Sequence, residues 1–285
     1  MPAEETPRTY EARLLRVLAY IYDNLDGDLS LDTLADVACM SRFHWHRVFR
    51  AMTGETMADA IRRIRMAKAA NALVHDGSAP VADVAAQHGY PNAASFSRTF
   101  SAAHGLSPAA FRELGAQVAH DLQQNDGDSS MYPVTIETLP PMRAAGVLHV
   151  GPPIHIGRAF QTLGGIMSAR NMYPYARGMF AIYHDAPGAK PDAELRAHAA
   201  VIIADDFPAG VEGLEYFDLV GGKHAVMQHK GPYATLGAAF EWLYGKWLPQ
   251  SGQEPRDAPP VELYVNDPRE TPPDQLRTDI RLPLK

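Results

Sequence analysis

Between Leu31 and Arg112 the chain carries one helix-pair pattern twice. Leu34-Ala35 lines up with Val84-Ala85 at an offset of 50. After a one-residue insertion, Trp45, Arg47, Phe49 and Gly54 line up with Phe96, Arg98, Phe100 and Gly105 at an offset of 51. Each copy reads as a short apolar-periodic helix, a turn, then a second helix that stops at glycine, the sequence form of a helix-turn-helix. Such a motif lays its second helix in the major groove of DNA. Two in one chain let a single polypeptide offer two probe helices to one duplex, so double-stranded DNA is the expected partner.

A length of 285 residues suffices for two domains with separate cores, and 46% apolar with 21% charged residues is a globular balance. No run of about 18 apolar residues is present, so no membrane span is expected. The start MPAEETPRTYEARLL lacks the basic-then-apolar layout of a secretory leader. A lone cysteine, Cys39, excludes an internal disulfide and implies a reducing, cytoplasmic setting. Between two helices and beside Met40, it is expected to be buried as a small hydrophobe. The net charge of −7 is unevenly spread: residues 41–70 carry a balance of +5, residues 116–285 one of −6. Because salt screens charge beyond about 8 Å, the local balance sets phosphate attraction. The basic run then supplies phosphate contacts, or is a solvated helix face.

Leu14, Leu15, Leu18, Ile21 and Tyr22 recur at helical spacing over residues 8–25. Ser30 or Asp32 caps the next helix, and Ser41 the one that runs to Met52. In the latter, Trp45, Val48, Phe49 and Met52 form an inward stripe, while Phe43, His46, Arg47 and Arg50 form an outward one. Arg47 has the fork geometry to pair with guanine, and Phe43 can touch a thymine methyl. A helix over residues 56–74 follows, then Val81–His88 and Asn92–His104, where Asn92, Ala93, Ser97 and Arg98 face outward. Residues 116–132 lose apolar periodicity and read as a linker.

The segments LDTLADVACMSRFHWHRVFRAMTG, RIRMAKAANALV and VADVAAQHGYPNAASFSRTFSAAHGLSPAAFR resemble the DNA-binding domain of the AraC/XylS family of transcription regulators, over roughly residues 8–115. The resemblance implies an all-α unit of seven helices whose two probe helices enter successive major grooves. It places Phe43, His46 and Arg47 on bases with Arg42 near phosphate, and Asn92, Ser97 and Arg98 on the second contact. Ala93 and Ala94 stand where longer polar side chains often sit, which weakens base readout by the second helix.

A second duplication follows. RAAGVLHVGPPIHIGRAFQTL (143–163) aligns without gaps onto KHAVMQHKGPYATLGAAFEWL (223–243) at an offset of 80. Each copy starts as a strand, breaks at Gly-Pro and continues as a helix. Each is followed by a strand with a matching tyrosine, FAIYHDAP (180–187) and VELYVNDP (261–268). With further strands at Val134–Leu139, Leu195–Ile203, Tyr216–Val220 and Leu276–Leu282, residues 133–285 form an α+β domain. It is built of two strand–helix–strand modules about a pseudo-twofold axis, and such an axis commonly leaves a ligand groove.

No HExxH, GxxxxGK[ST], GxSxG or paired cysteine is present. His149 and His229 either face each other on a metal or each satisfy backbone before Gly-Pro. Two histidines without further ligands make a poor zinc site, so no cofactor is expected. In VELYV, Glu262 and Tyr264 share one strand face, opposite Val261, Leu263 and Val265. That face is either solvent, or a carboxylate among aromatic rings suited to an apolar cation.

Residues 133–285 resemble the GyrI-like small-molecule-binding domain found behind an AraC-type reader in Rob-like regulators. The resemblance rests on YFDLVGGKHAVMQHKGPYATLGAAFEWLYGKWLPQSG, PPVELYVNDP and TDIRLPLK. It implies a cleft for amphipathic, frequently cationic compounds, with Glu262 as counter-ion and Tyr183, Trp242 and Tyr264 as walls. Some GyrI-like domains are hydrolases, with glutamate and tyrosine as acid–base partners, roles open to Glu262 and Tyr183. The leading expectation is a DNA-binding transcription regulator, not an enzyme, with a small-molecule effector and RNA polymerase as further partners. The alternatives are a hydrolytic or a protein-binding C-terminal domain.

Overall fold

The computed structural model describes residues 5–124, 132–185 and 188–285. The described N-terminal half folds as helices α1 (Glu5–Asp23), α2 (Leu31–Val37), α3 (Arg42–Thr53), α4 (Met57–His75), α5 (Val81–Gln87), α6 (Ala93–His104) and α7 (Pro108–Gln124). Their starts follow local chemistry: Ser30, Thr56 and Asn92 accept hydrogen bonds from the backbone N–H of Thr33, Asp59 and Ser95. Both probe helices, α3 and α6, stop at left-handed glycines, Gly54 (φ 77°) and Gly105 (φ 72°).

The two helix-turn-helix units have separate cores bridged by α4. Trp45 and Phe49 of α3 are fully buried with Leu14, Ile21, Leu34 and Ile64. Phe96 and Phe100 of α6 are buried with Met66, Leu73, Val84 and Phe111. Two sequence expectations fail here. Residues 116–124 continue α7 rather than opening the linker, because Ala, Gln and Leu are good helix formers even without a strong apolar stripe. The rest of the expected linker, 125–131, lies outside the described residues. Cys39 is exposed, not buried. It is the left-handed residue (φ 52°) of the first turn, where the second copy has Gly89 (φ 76°), and that conformation turns its side chain outward beside Arg16.

The C-terminal half is an antiparallel sheet of β1 (Val134–Leu139), β2 (Met142–Val150), β3 (Ala176–Tyr183), β4 (Arg196–Ile203), β5 (Glu215–Leu219), β6 (Gly222–Lys230), β7 (Val261–Tyr264) and β8 (Arg277–Pro283). The strand order β1-β6-β8-β7-β3-β4-β2-β5 is symmetric about the β7–β3 pair. Helix α8 (Gly157–Ala169) follows β2, and α9 (Leu236–Trp242) follows β6 before running into a π-helical turn, Leu243–Trp247. α8 packs on Ala145, Ala199 and Val201, and α9 on Ala225, Met227 and Ile280. Both therefore cover the same face of the sheet. Among the described residues no helix is long and apolar enough to cross a membrane.

Each half of the sheet domain holds a different reader. α8 lies against α1 and α3: Arg170 makes a two-pronged ion pair with buried Glu11 (2.7 and 2.9 Å). Arg158 pairs with Asp23, and Ser168 donates to the carbonyl of Met52. Gly165 lets the helices approach so closely that an added Cβ would sit 2.7 Å from Leu15 Cδ2. On the other side, the turn Tyr233–Thr235 before α9 reaches the second reader, where Ala234 joins the Met66–Phe96–Phe100 core.

Candidate DNA-reading surface and ligand niche

On α3, burial of Trp45 and Phe49 leaves His44, His46, Arg47 and Arg50 exposed. Arg42 is exposed and meets Asp32 at 3.4 Å. The side chain of Phe43 lies outside what the structure describes. On α6 the expected contacts separate. Arg98 is exposed, but Asn92 caps the helix with its side chain, and the Ser97 hydroxyl donates to Ala93 O at 2.9 Å.

The basic run is only partly a surface feature. Arg63 bonds Glu55 (2.7 Å) and Gln161 of α8. Arg65 donates twice to Leu25 O (3.0 and 2.7 Å). Lys68 reaches Tyr22 O at 3.3 Å and lies over the Tyr22 ring. Burial holds the pKa values of Arg65 and Lys68 below their ordinary range. These three tie α4 to its neighbours, so the exposed cations of residues 41–70 reduce to Arg42, Arg47, Arg50 and Arg62.

In the sheet domain the register places Ala181 of β3 directly opposite Glu262 of β7. These two positions are equivalents under the internal repeat, so Glu262 sits on the pseudo-twofold axis with a methyl group for a neighbour. Strand alternation turns it toward the helix-covered face, where it is 4% exposed. Tyr264 donates to its carboxylate at 3.0 Å and Tyr183 at 3.5 Å. Burial pushes the Glu262 pKa up to about 7, against the opposing pull of the two phenols. Burial and then the Glu262 charge hold both tyrosines well above their usual range.

Two further rings close this niche. Phe160 of α8 meets the Tyr264 ring edge-on at 5.6 Å, and Tyr233 meets it at 4.9 Å. Neither was singled out from sequence, although Phe160 recurs in the repeat and Tyr233 follows the second Gly-Pro. Trp242, expected as a wall, instead packs edge-on against Tyr132 at 5.2 Å in the core of the second module. His149 and His229 do not face each other on a metal. Each bonds its own turn, to Pro152 O and to Thr235 Oγ1, both at 2.9 Å. A separate cavity of about 290 Å³ lies on the opposite face of the sheet, lined by Ile182, His198, Phe217, Val261 and Arg281 among others.

Tandem helix-turn-helix units joined to a pseudo-symmetric sheet with a buried acidic niche define a DNA reader coupled to a ligand-binding module. A family model described as "GyrI-like small molecule binding domain" matches residues 132–285, and one described as "Helix-turn-helix domain" matches residues 34–114. The chain belongs to the GyrI-like family and carries an AraC-type helix-turn-helix domain in front of it. It joins a helix-turn-helix domain to a small-molecule-binding domain, and it spans only part of the length of the curated relatives it matches, 35% of one and 70% of another. Its relatives include the HTH-type transcriptional activator AarP of Providencia stuartii, 34% identical over 34% of this chain and 70% of AarP. Transcriptional regulator Rob of Salmonella typhimurium is 33% identical over 36% of this chain, a match that spans 35% of Rob. Among solved structures, an EcmrR–DNA complex shares 15% identity, with a TM-score of 0.46 over 88% of this chain and 84% of that one.

Proposed function

We propose that the effector is a lipophilic cation, held by Glu262, that resets the relative placement of the two DNA-reading units. The observation that carries this reading is the position of Glu262. It is a buried carboxylate ringed by tyrosines, on the axis between two modules that each grip a different reader. A cation gains from the carboxylate and from aromatic faces together once water is excluded. A cation seated at Glu262 would part the two rings packed on Tyr264, Phe160 and Tyr233, and those rings ride on the elements docked against the first and second reader. Differential affinity for the parted arrangement is what lets occupancy shift the DNA-bound state. In the reader, Arg47 and His46 face base edges, Arg42, Arg50 and Arg62 grip phosphate, and Arg98 serves the second groove. RNA polymerase is the partner on which a promoter-bound regulator of this kind acts.

The test uses benzyldimethylhexylammonium and the full chain at pH 8. Glu262→Gln is expected to weaken binding by about thirtyfold or more, the scale of a desolvated charge pair. The probe is expected to alter footprints on DNA selected by the protein only when Glu262 is intact. Equal affinity of the two proteins for the probe sinks the reading. Conversion of electrophilic substrates that requires Glu262 would replace it with a hydrolase.

A further inference from the structure

Seven buried side-chain nitrogen or oxygen atoms among the described residues lack a hydrogen-bond partner, and three of them belong to His229, Thr278 and Tyr233, each in or packed on the row of side chains that runs to Tyr264. The register pairs His229 of β6 with Thr278 of β8, and Thr278 with Tyr264 of β7. These three side chains therefore form a row across the helix-covered face. Thr278 is 0% and His229 3% exposed, yet Thr278 Oγ1 and His229 Nδ1 are unpaired. The third atom is the hydroxyl of Tyr233, whose ring lies 4.9 Å from Tyr264. A polar atom sealed from water without a partner destabilises a fold, so the neighbouring Thr278 and His229, with the Tyr233 ring packed on the next residue of the row, call for a partner.

The bonding pattern says what that partner offers. Thr235 Oγ1 donates to Pro232 O at 2.7 Å, so it accepts from His229 Nε2–H. His229 Nδ1 is then a lone pair that needs a donor. Burial keeps this imidazole neutral, with its pKa lowered to about 4. The Thr278 and Tyr233 hydroxyls can donate in turn. A ligand hydroxyl, which donates and accepts at once, satisfies both kinds of partner. The equivalent row in the first module reads His149, Ala197 and Tyr183, with Pro153 in place of Tyr233. It offers no such hydroxyls beyond the tyrosine, so the patch is confined to one side of the axis.

We propose that the Tyr233–Thr278–His229 patch is a hydrogen-bonding subsite for the effector, which is therefore a cation carrying a hydroxyl on one arm. Thr278 stands one strand over and two residues along from Glu262, roughly 8 Å by strand geometry, which sets the span between charge and hydroxyl. This inference rests on the cation reading above.

The experiment compares benzyldimethylhexylammonium with its 6-hydroxyhexyl analogue by calorimetric titration of the full chain. The hydroxylated ion is expected to bind about three- to tenfold more tightly, the range of one net hydrogen bond. Thr278→Val is expected to erase that preference and to raise Tm, since it replaces an unpaired hydroxyl with a methyl group. Equal binding of the two ions with Glu262 still required overturns the subsite and leaves the cation reading standing. A lowered Tm in Thr278→Val, the sign of ordered water completing the row, overturns it as well. Failure of both ions to bind removes the cation reading and the subsite together.

Discussion

The two modules of the sheet domain share one plan and differ in what the plan carries. In the first, β3 brings Ala181 and Tyr183 to the helix-covered face, and β4 sets Ala197 beside Tyr183. In the second, Glu262, Tyr264 and Thr278 take the equivalent places. A buried acid on the axis tolerates only one copy, because two carboxylates in directly opposed positions cannot both ionise without water. Duplication thus supplies a symmetric frame, and the charge breaks it. The reader shows the opposite outcome: both copies keep a buried aromatic pair, Trp45 with Phe49 and Phe96 with Phe100, and both keep an exposed arginine, Arg47 and Arg98.

Restoring symmetry is the severest way to break the comparison. Ala181→Glu would set a second carboxyl opposite Glu262 at a position now 0% exposed. Uncompensated buried charge of this kind costs about 3–5 kcal/mol, readable as a lowered urea midpoint with an unchanged m-value. Moving the acid, by combining Ala181→Glu with Glu262→Ala, is expected to return most of that stability and to retain cation binding, because the axis relates the two positions. A single variant as stable as the parent would mean that the niche is wetter than its burial indicates.

Proton linkage gives the next largest effect. The folded-state pKa of Glu262 is raised to about 7 from an ordinary 4.5, so the fold prefers the protonated acid. Its stabilising contribution is complete below about pH 4.5 and is lost as pH rises through about 7. The total change is about 3 kcal/mol at roughly 1.4 kcal/mol per pKa unit. The difference in unfolding free energy between parent and Glu262→Gln, measured from pH 4 to 8, should trace that fall. Affinity for a permanently charged ion should rise over the upper part of the same window, since the ion needs the carboxylate. A flat difference would place Glu262 in contact with solvent.

How far the sequence reached depends on the range of the interactions involved. Helix starts at Ser30 and Asn92, the paired glycine stops and the Gly-Pro breaks are set by neighbours a few residues away, and the periodicity exposed them. Alternation in VELYV separated the faces of β7, but which face α8 and α9 cover is a tertiary fact, so the burial of Glu262 stayed open. The inward turn of Arg65 depends on Leu25 O, forty residues distant in sequence and recruited only when α4 packs. Phe160 and Tyr233 close the niche, rather than Trp242, for the same reason. The register of a helix over a sheet decides which of its rings points at the axis.

The smallest effects lie in the reader, where the two turns sharpen the contrast between copies. Gly89 and Cys39 share the left-handed conformation that swings each probe helix into place. At Gly89 a Cβ would fall 2.3 Å from Leu25 O and 2.4 Å from Arg65 Nη2, so Gly89→Ala adds collision to strain. About 2–3 kcal/mol of destabilisation is expected, comparable to other overpacked or strained sites. At Cys39 the chain already holds a side chain in that conformation, with Arg16 Nη1 3.4 Å from its sulfur. Cys39→Gly relieves the strain but frees the unfolded chain, so a net gain of only about 0.5 kcal/mol is expected. Thermal melts of the two variants in parallel give the comparison directly. Opposite signs confirm that both turns depend on the left-handed residue, whereas a marked loss in Cys39→Gly would show that the arginine–sulfur contact, not the backbone, fixes the first turn.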